Sequence, residues 1–129
     1  MPVEFTSIGV VRTNAANIPR HWSISDVAGT LEFDQDYAEG LRDIHPGERI
    51  VVLFHFDRSP PFDPEHLVQT SGDTGAKTGI FSTCSPIRPN PIGLSVVEVV
   101  GIRGSKIDVR GIDMLDGTPI FDLKPHVET

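Results

Sequence analysis

Short segments in which apolar and polar residues alternate, or in which β-branched residues cluster, recur along the chain. Alternation turns successive side chains to opposite faces, which is the pattern of a half-buried β-strand. The pattern predicts strands at residues 3–11, 27–33, 49–56, 94–102, 106–112 and 119–123. Helical periodicity is scarce: only residues 37–44 predict a short helix, and Gly40 weakens it.

Proline and glycine separate these segments. Most of the 11 prolines and 12 glycines fall between the predicted strands and mark turns. Residues 57–77 predict one long loop, proline-rich and then polar, with a short strand at 66–70. Many short strands joined by such loops are typical of all-β barrels and sandwiches, and no strand–helix alternation with a glycine-rich fingerprint indicates a Rossmann-type domain. We therefore predict one all-β domain over residues 1–129.

Composition narrows the class of protein. An apolar share of 38% and a charged share of 22% fit a globular domain, which at 129 residues needs neither a disulfide nor a metal to hold its core. Cys84 is the single cysteine, so an internal disulfide and a four-cysteine zinc site are excluded. The longest apolar run, residues 50–54, is far shorter than the ~18 residues of a membrane span, and the first residues show no export signal. We expect a cytoplasmic protein without membrane contact.

Two patterns resemble ligand sites without meeting their requirements. Residues 72–78 look like a phosphate-binding loop, but that motif needs glycine directly before the lysine, and here Ala76 precedes Lys77. The five histidines never pair at helical spacing. His55 and Asp57 would share a strand face and could begin a metal site, although a half-buried strand histidine is much more common. Neither a nucleoside triphosphate nor a metal ion is predicted.

The charges are unevenly distributed. The net charge is −7, which excludes a strongly basic nucleic-acid-binding surface over the whole chain. Residues 26–48 carry seven acidic side chains, and Arg42 is the only lysine or arginine among them. Residues 74–97 contain no acidic side chain but include Lys77 and Arg88. An anionic partner is therefore expected at the acid-free stretch, while the acidic stretch is interpreted as a solvated face.

Residues 79–95, Gly-Ile-Phe-Ser-Thr-Cys-Ser-Pro-Ile-Arg-Pro-Asn-Pro-Ile-Gly-Leu-Ser, are unlike an ordinary strand connection. Three prolines within residues 86–91 fix their own φ angles and remove three backbone donors, so this stretch cannot lie inside a sheet. The result is a stiff loop that presents Ser85, Arg88 and Asn90, followed by Gly93, which permits close backbone approach. Such a loop lowers the entropic cost of binding a ligand, and a rigid structural turn is the alternative interpretation.

A second polar cluster occupies residues 113–126, Asp-Met-Leu-Asp-Gly-Thr-Pro-Ile-Phe-Asp-Leu-Lys-Pro-His. The pair Asp116-Gly117 is a strong hairpin-turn signal. A turn alone does not explain Asp113, Asp122 and Lys124. Asp122 and Lys124 lie on one face of the predicted strand, where they pair with each other or face a ligand.

These two segments resemble the TrmO (TsaA-like) family of tRNA methyltransferases. Residues 79–95 match its Phe-small-Thr-Arg-Ser-Pro-x-Arg-Pro-Asn-Pro-Ile-Gly-Leu-Ser signature almost throughout, and residues 113–126 match its Asp-x-x-Asp-Gly-Thr-Pro block. Residues 8–12 and the pair Pro19-Arg20 are also similar, so the likeness covers nearly the whole chain. The resemblance implies a β-barrel that binds S-adenosyl-L-methionine, a homodimer with the cofactor near its interface, and methylation of the exocyclic amine of threonylcarbamoyl-adenosine in tRNA.

The resemblance also implies which residues hold the cofactor. Cys84 stands where the family has an arginine associated with cofactor binding, and His21 stands where it often has glutamine. The chain ends before the C-terminal extension of bacterial members. The implied cofactor-binding residues are Pro19, Arg20, His21, His55, Phe81, Cys84, Arg88, Asn90, Leu94, Leu115, Asp116, Gly117 and Thr118.

In methyl transfer from a sulfonium, the protein mainly positions the reactants and stabilises charge, because the sulfonium carries a good leaving group. The acceptor amine also loses a proton, and we predict that Asp122 accepts it, with a structural ion pair to Lys124 as the alternative. Lys77 and Lys124 are predicted to contact RNA. Two other functions remain open: methylation of a different acceptor, and a cofactor-binding module without catalysis.

Overall fold

The computed structural model describes residues 1–70 and 75–127. Within these ranges the chain forms eight β-strands and four short 3-10 helices. The strands are β1 (Gly9–Arg12), β2 (Ala28–Phe33), β3 (Arg49–His55), β4 (Val68–Thr70), β5 (Lys77–Gly79), β6 (Ile92–Arg103), β7 (Lys106–Arg110) and β8 (Pro119–Pro125). The 3-10 helices are η1 (Trp22–Ile24), η2 (Gln35–Leu41), η3 (Pro64–Leu67) and η4 (Ile80–Ser82).

Six of the strands pair in a ring around one apolar core. The order is β1-β2-β7-β6-β3-β8, every pair is antiparallel, and β8 pairs back to β1, which closes a barrel. Strands β4 and β5 form a separate two-stranded sheet. Burial alternates along β3, where Ile50, Val52 and Phe54 are buried and the residues between them are not. This period-two pattern lets each strand contribute one face to the core.

The prediction of a mostly β chain with little helix is confirmed. Each of the five predicted strands from residue 27 onward overlaps a barrel strand. The predicted strand 3–11 was too long: the pairing of β1 begins at Gly9, and Val3 and Phe5 are exposed. A 3-10 helix lies in place of the helix predicted at 37–44, and β5 was not predicted. Residues 72–74 of the segment that looks like a phosphate loop lie outside the described residues.

The turn before β8 is held against β1 by backbone hydrogen bonds. Gly117 has φ +87°, a left-handed conformation that favours glycine, and its N–H donates to the Val11 carbonyl at 2.7 Å. The N–H of Val11 donates to the Thr118 carbonyl at 2.9 Å, and the N–H of Thr13 donates to Asp116 Oδ1 at 3.0 Å. The Asp-Gly pair thus forms a turn that is part of the barrel closure.

In the part of the chain that the structure describes, no helix is long and apolar enough to cross a membrane. The same residues include no group of three or more His, Cys, Asp or Glu side chains placed to hold a metal ion. The His55 ring stacks on Phe121, with ring centroids 5.5 Å apart, and Asp57 pairs with Arg58.

Candidate functional site

Three adjoining depressions surround the end of β3. The large groove, about 630 Å³, runs between residues 20–22, the loop 83–88 and the start of β6. The small groove, about 330 Å³, lies between residues 54–60 and residues 113–118. The side groove, about 400 Å³, lies between residues 55–62 and residues 88–91. Phe56 lines all three, so together they form one continuous surface.

The floor of this surface is aromatic. Phe54 lines the large and small grooves while only 4% of its surface is exposed, and its ring meets that of Phe56 edge to face at 5.0 Å. Phe54 lies directly against Gly93, where an added Cβ would be 2.2 Å from the Phe54 ring. Any side chain larger than that of glycine at position 93 would displace the Phe54 ring. An aromatic floor of this kind suits a planar apolar ligand.

The loop 83–91 is tied together by its own polar groups. Arg88 Nη1 donates to the carbonyls of Thr83 and Ser85 at 2.9 and 3.2 Å. The Thr83 hydroxyl donates in turn to the Ile80 carbonyl at 2.9 Å. Arg88 lines both the large and the side groove, and its guanidinium lies 6.0 Å from the Phe81 ring. Arg88 therefore both organises the loop and brings a positive charge to the grooves.

The turn 115–118 is fixed from the groove side by Arg58. Its Nη2 donates to the Asp116 carbonyl at 2.8 Å and to the Thr118 hydroxyl at 3.2 Å. The Thr118 hydroxyl donates to the Leu115 carbonyl at 2.7 Å. Leu115 and Thr118 thereby line the small groove. The Asp116 carboxylate points to β1 instead, because Thr13 N–H holds it there.

Asp113 lies where the large and small grooves meet and lines both. The hydroxyl of fully buried Ser95 donates to Asp113 Oδ1. Burial raises the pKa of the Asp113 carboxyl, while the Ser95 hydrogen bond and the nearby His21 oppose that rise in pKa. A carboxyl group at this junction is thus partly desolvated but faces both grooves.

The structure brings together eight of the predicted cofactor-binding residues. Five of them line the large groove: Arg20, His21, Cys84, Arg88 and Leu94. Three of them line the small groove: His55, Leu115 and Thr118. A separate depression of about 670 Å³ over β2 and β7 contains none of the predicted site residues.

The remaining predicted residues line none of the four described depressions: Pro19, Phe81, Asn90, Asp116, Gly117, Lys77, Asp122 and Lys124. Phe81 is 76% exposed beside the large groove. Asp122 is half-exposed and pairs with Lys124 at 3.4 Å, which is the alternative that the sequence left open. The functional roles assigned to all of these residues stay predictions.

Sequence reasoning did not assign several residues that the grooves contain, notably Trp22, Phe54, Phe56, Arg58 and Asp113. Phe54 and Phe56 lie within the predicted strand 49–56, and Phe54 is buried. Among these five residues the sequence marked only Asp113, because the predicted turn at Asp116-Gly117 does not explain its acidic side chain.

Comparison with known proteins agrees with the signature segments. The family model of the tRNA-methyltransferase O N-terminal domain matches residues 10–129. The chain belongs to this family. The resemblance drawn from residues 79–95 and 113–126 is thereby confirmed.

Relatives and solved structures extend this result. A probable S-adenosyl-L-methionine-binding protein of Pyrococcus abyssi is 40% identical over 102 residues, which is 79% of this chain and 54% of that protein. The tRNA (adenine(37)-N6)-methyltransferase of Mus musculus is 34% identical over 117 residues, which is 91% of this chain and 23% of that enzyme. A crystal structure of TrmO from P. aeruginosa superposes with a TM-score of 0.76 at 31% identity, over 98% of this chain and 55% of that one. The chain thus spans about half the length of the Pyrococcus relative and of the TrmO structure.

Gly93→Ala tests the packing of the groove floor. The new Cβ would overlap the Phe54 ring, so we expect a loss of ~1–3 kcal/mol in the free energy of unfolding, the usual cost of overpacking a core. Gly101→Ala is the matched control, because Gly101 is also on β6 and has nothing within 4 Å of an added Cβ. Urea unfolding of both variants measures the difference, and equal losses would contradict the proposed contact.

Proposed function

We propose that this chain binds S-adenosylmethionine in the joined grooves and transfers its methyl group to the exocyclic amine of threonylcarbamoyl-adenosine in tRNA. The observation that carries the proposal is the convergence of both family segments on one surface. Thr83, Cys84, Pro86 and Arg88 of the first segment line the large groove. Asp113, Met114, Leu115 and Thr118 of the second segment line the small groove, and Phe54 and Phe56 line both.

The chemistry of the grooves fits this cofactor. The aromatic floor of Phe54 and Phe56 suits a purine base, and apolar Leu94 and Leu115 extend it on either side. The carboxylate of Asp57 faces the small groove and suits ribose hydroxyls or a positive sulfonium. When bound, the cofactor supplies an activated methyl group.

The residues of the chain supply position and charge. The stiff loop held by Arg88 and the turn held by Arg58 need little ordering when a ligand arrives. Cys84 lines the large groove in place of the family's arginine, which leaves the neighbouring cations Arg20 and Arg88 to face an anionic group. We propose that Lys77 and Lys124 add phosphate contacts outside the grooves, and that the acidic stretch 26–48 faces away from tRNA.

Methyl transfer to RNA tests the function directly. With labelled S-adenosylmethionine, we expect incorporation into tRNA that carries threonylcarbamoyl-adenosine and none into the same tRNA without that modification. The assay is run at low salt, because salt weakens contacts to phosphate. Each neutralised phosphate contributes roughly −0.7 to −0.9 to the slope of log affinity against log salt concentration. Incorporation only into a small-molecule extract would replace tRNA by another acceptor, and binding without any turnover would indicate a non-catalytic module.

Arg88→Ala tests the cofactor site independently of turnover. We expect S-adenosylmethionine binding to weaken by ~1–3 kcal/mol in calorimetry, because a charged donor and the anchor of the loop are both lost. Arg42→Ala, at an exposed arginine that directly follows η2, is the matched control and should bind normally. Asn90→Ala decides whether Asn90 also reaches the cofactor, since it lines none of the grooves. Unchanged affinity in Arg88→Ala would remove Arg88 from the site.

We also propose a homodimer, as the resemblance implies. Exposed apolar side chains border the grooves, namely Phe81, Leu94 and Leu115, and a two-fold contact that covered them would enlarge the binding surface. Light scattering should then give about twice the 14.1 kDa of one chain. A mass equal to one chain at working concentration contradicts the dimer.

A further inference from the structure

The Asp113 side chain lies at the junction of the large and the small groove. Four residues line both the large and the small groove: Phe54, Phe56, Pro86 and Asp113. Among these four, Asp113 alone can gain or lose a proton. A ligand that spans the two grooves therefore passes this carboxyl group.

The backbone around Asp113 is held firmly. Its neighbours Ile112 and Met114 are buried in the core, 0% and 2% exposed. Ile112 N–H donates to the Val27 carbonyl at 3.1 Å, and the Ser25 hydroxyl donates to the Ile112 carbonyl at 2.5 Å. Ser95, fully buried on β6, then fixes the carboxyl group itself through Oδ1. The side chain is thus positioned in advance, as a proton acceptor must be.

The charged and titratable groups around Asp113 come from three sides. His21 faces it from the residue before η1, and Arg20 lies next to His21. Cys84 and Arg88 line the large groove from loop 83–88. The small groove carries three such groups at the end of β3: His55, Asp57 and Arg58. Burial raises the pKa of Asp113, while the Ser95 hydrogen bond and His21 oppose that rise, and a carboxylate with a raised pKa is a stronger base.

We propose that Asp113 is the catalytic residue that accepts the proton of the acceptor nitrogen, and that Ser95 is its positioning residue. The inference rests on the proposed function. As the nitrogen–carbon bond forms, the N–H proton moves to the Asp113 carboxylate, and the electron pair of the broken carbon–sulfur bond stays on sulfur. Asp113 later releases the proton to water. Asp122, the residue predicted from sequence for this role, lies outside the grooves in an ion pair with Lys124.

Asp113→Asn tests the assignment. We expect kcat on modified tRNA to fall by about 10²–10⁴-fold, the usual contribution of a general base, while the Kd for S-adenosylmethionine changes less than about threefold. Asp43→Asn, at a carboxylate with 92% of its side chain exposed, is the control for the loss of one negative charge. Turnover retained in Asp113→Asn, or lost only in Asp122→Asn, overturns the proposal. Absence of turnover in the wild type overturns the proposed function and this inference together.

Ser95→Ala separates catalysis from a merely structural role. Since the Ser95 hydrogen bond lowers the pKa of Asp113, its removal should raise that pKa and move the acid limb of kcat to higher pH. A carboxyl titration by NMR in the protein without ligand should show the same upward shift, and in the wild type a pKa above the usual range of aspartate. A uniform loss of kcat at all pH values, or an acid limb that disappears in His21→Gln, would assign the proton to another group.

Discussion

The backbone groups on both edges of every barrel strand need hydrogen-bond partners, and the chain meets this need by pairing β1 with β8. That pairing closes the ring of six strands and lets their inward faces share one core. It also fixes the turn that precedes β8, because Val11 exchanges backbone hydrogen bonds with Gly117 and Thr118. One wall of the small groove, the turn before β8, is therefore held in place by the pairing that closes the barrel.

The core and the grooves share side chains. Phe54 belongs to the buried cluster and at the same time forms the groove floor, and its place depends on the missing Cβ of Gly93. Ser95, two residues further along β6, is fully buried yet bonds to Asp113. Substitutions at such positions change stability and ligand chemistry together, because the same atoms serve both.

Sequence reasoning succeeded where one face of a strand is buried. The strand predicted at 49–56 is β3 to within one residue, since its alternation records an inward and an outward face. It failed for residues 3–7, which alternate but belong to no strand, and for β5, whose three residues carry no alternation. In the site, Arg20 and His21 line the large groove together with residues of loop 83–88, and His55 lines the small groove. A register shift between Leu53 and Phe54 pairs Leu53 with Asp122 and Phe54 with Ile120, and this arrangement cannot be inferred from one strand alone. The junction of the two grooves is likewise formed by Phe54, Pro86 and Asp113, which are distant from one another in sequence.

The hydrogen bond from Thr13 to Asp116 joins residues 103 positions apart. Contacts of such separation form late, because the long intervening chain must first be ordered. During synthesis β1 and β2 leave the ribosome long before residues 113–118 exist, so β1 lacks its partner β8 until residues 119–125 have been made. The small groove consequently requires the closed barrel, because one of its walls is the turn that leads into β8.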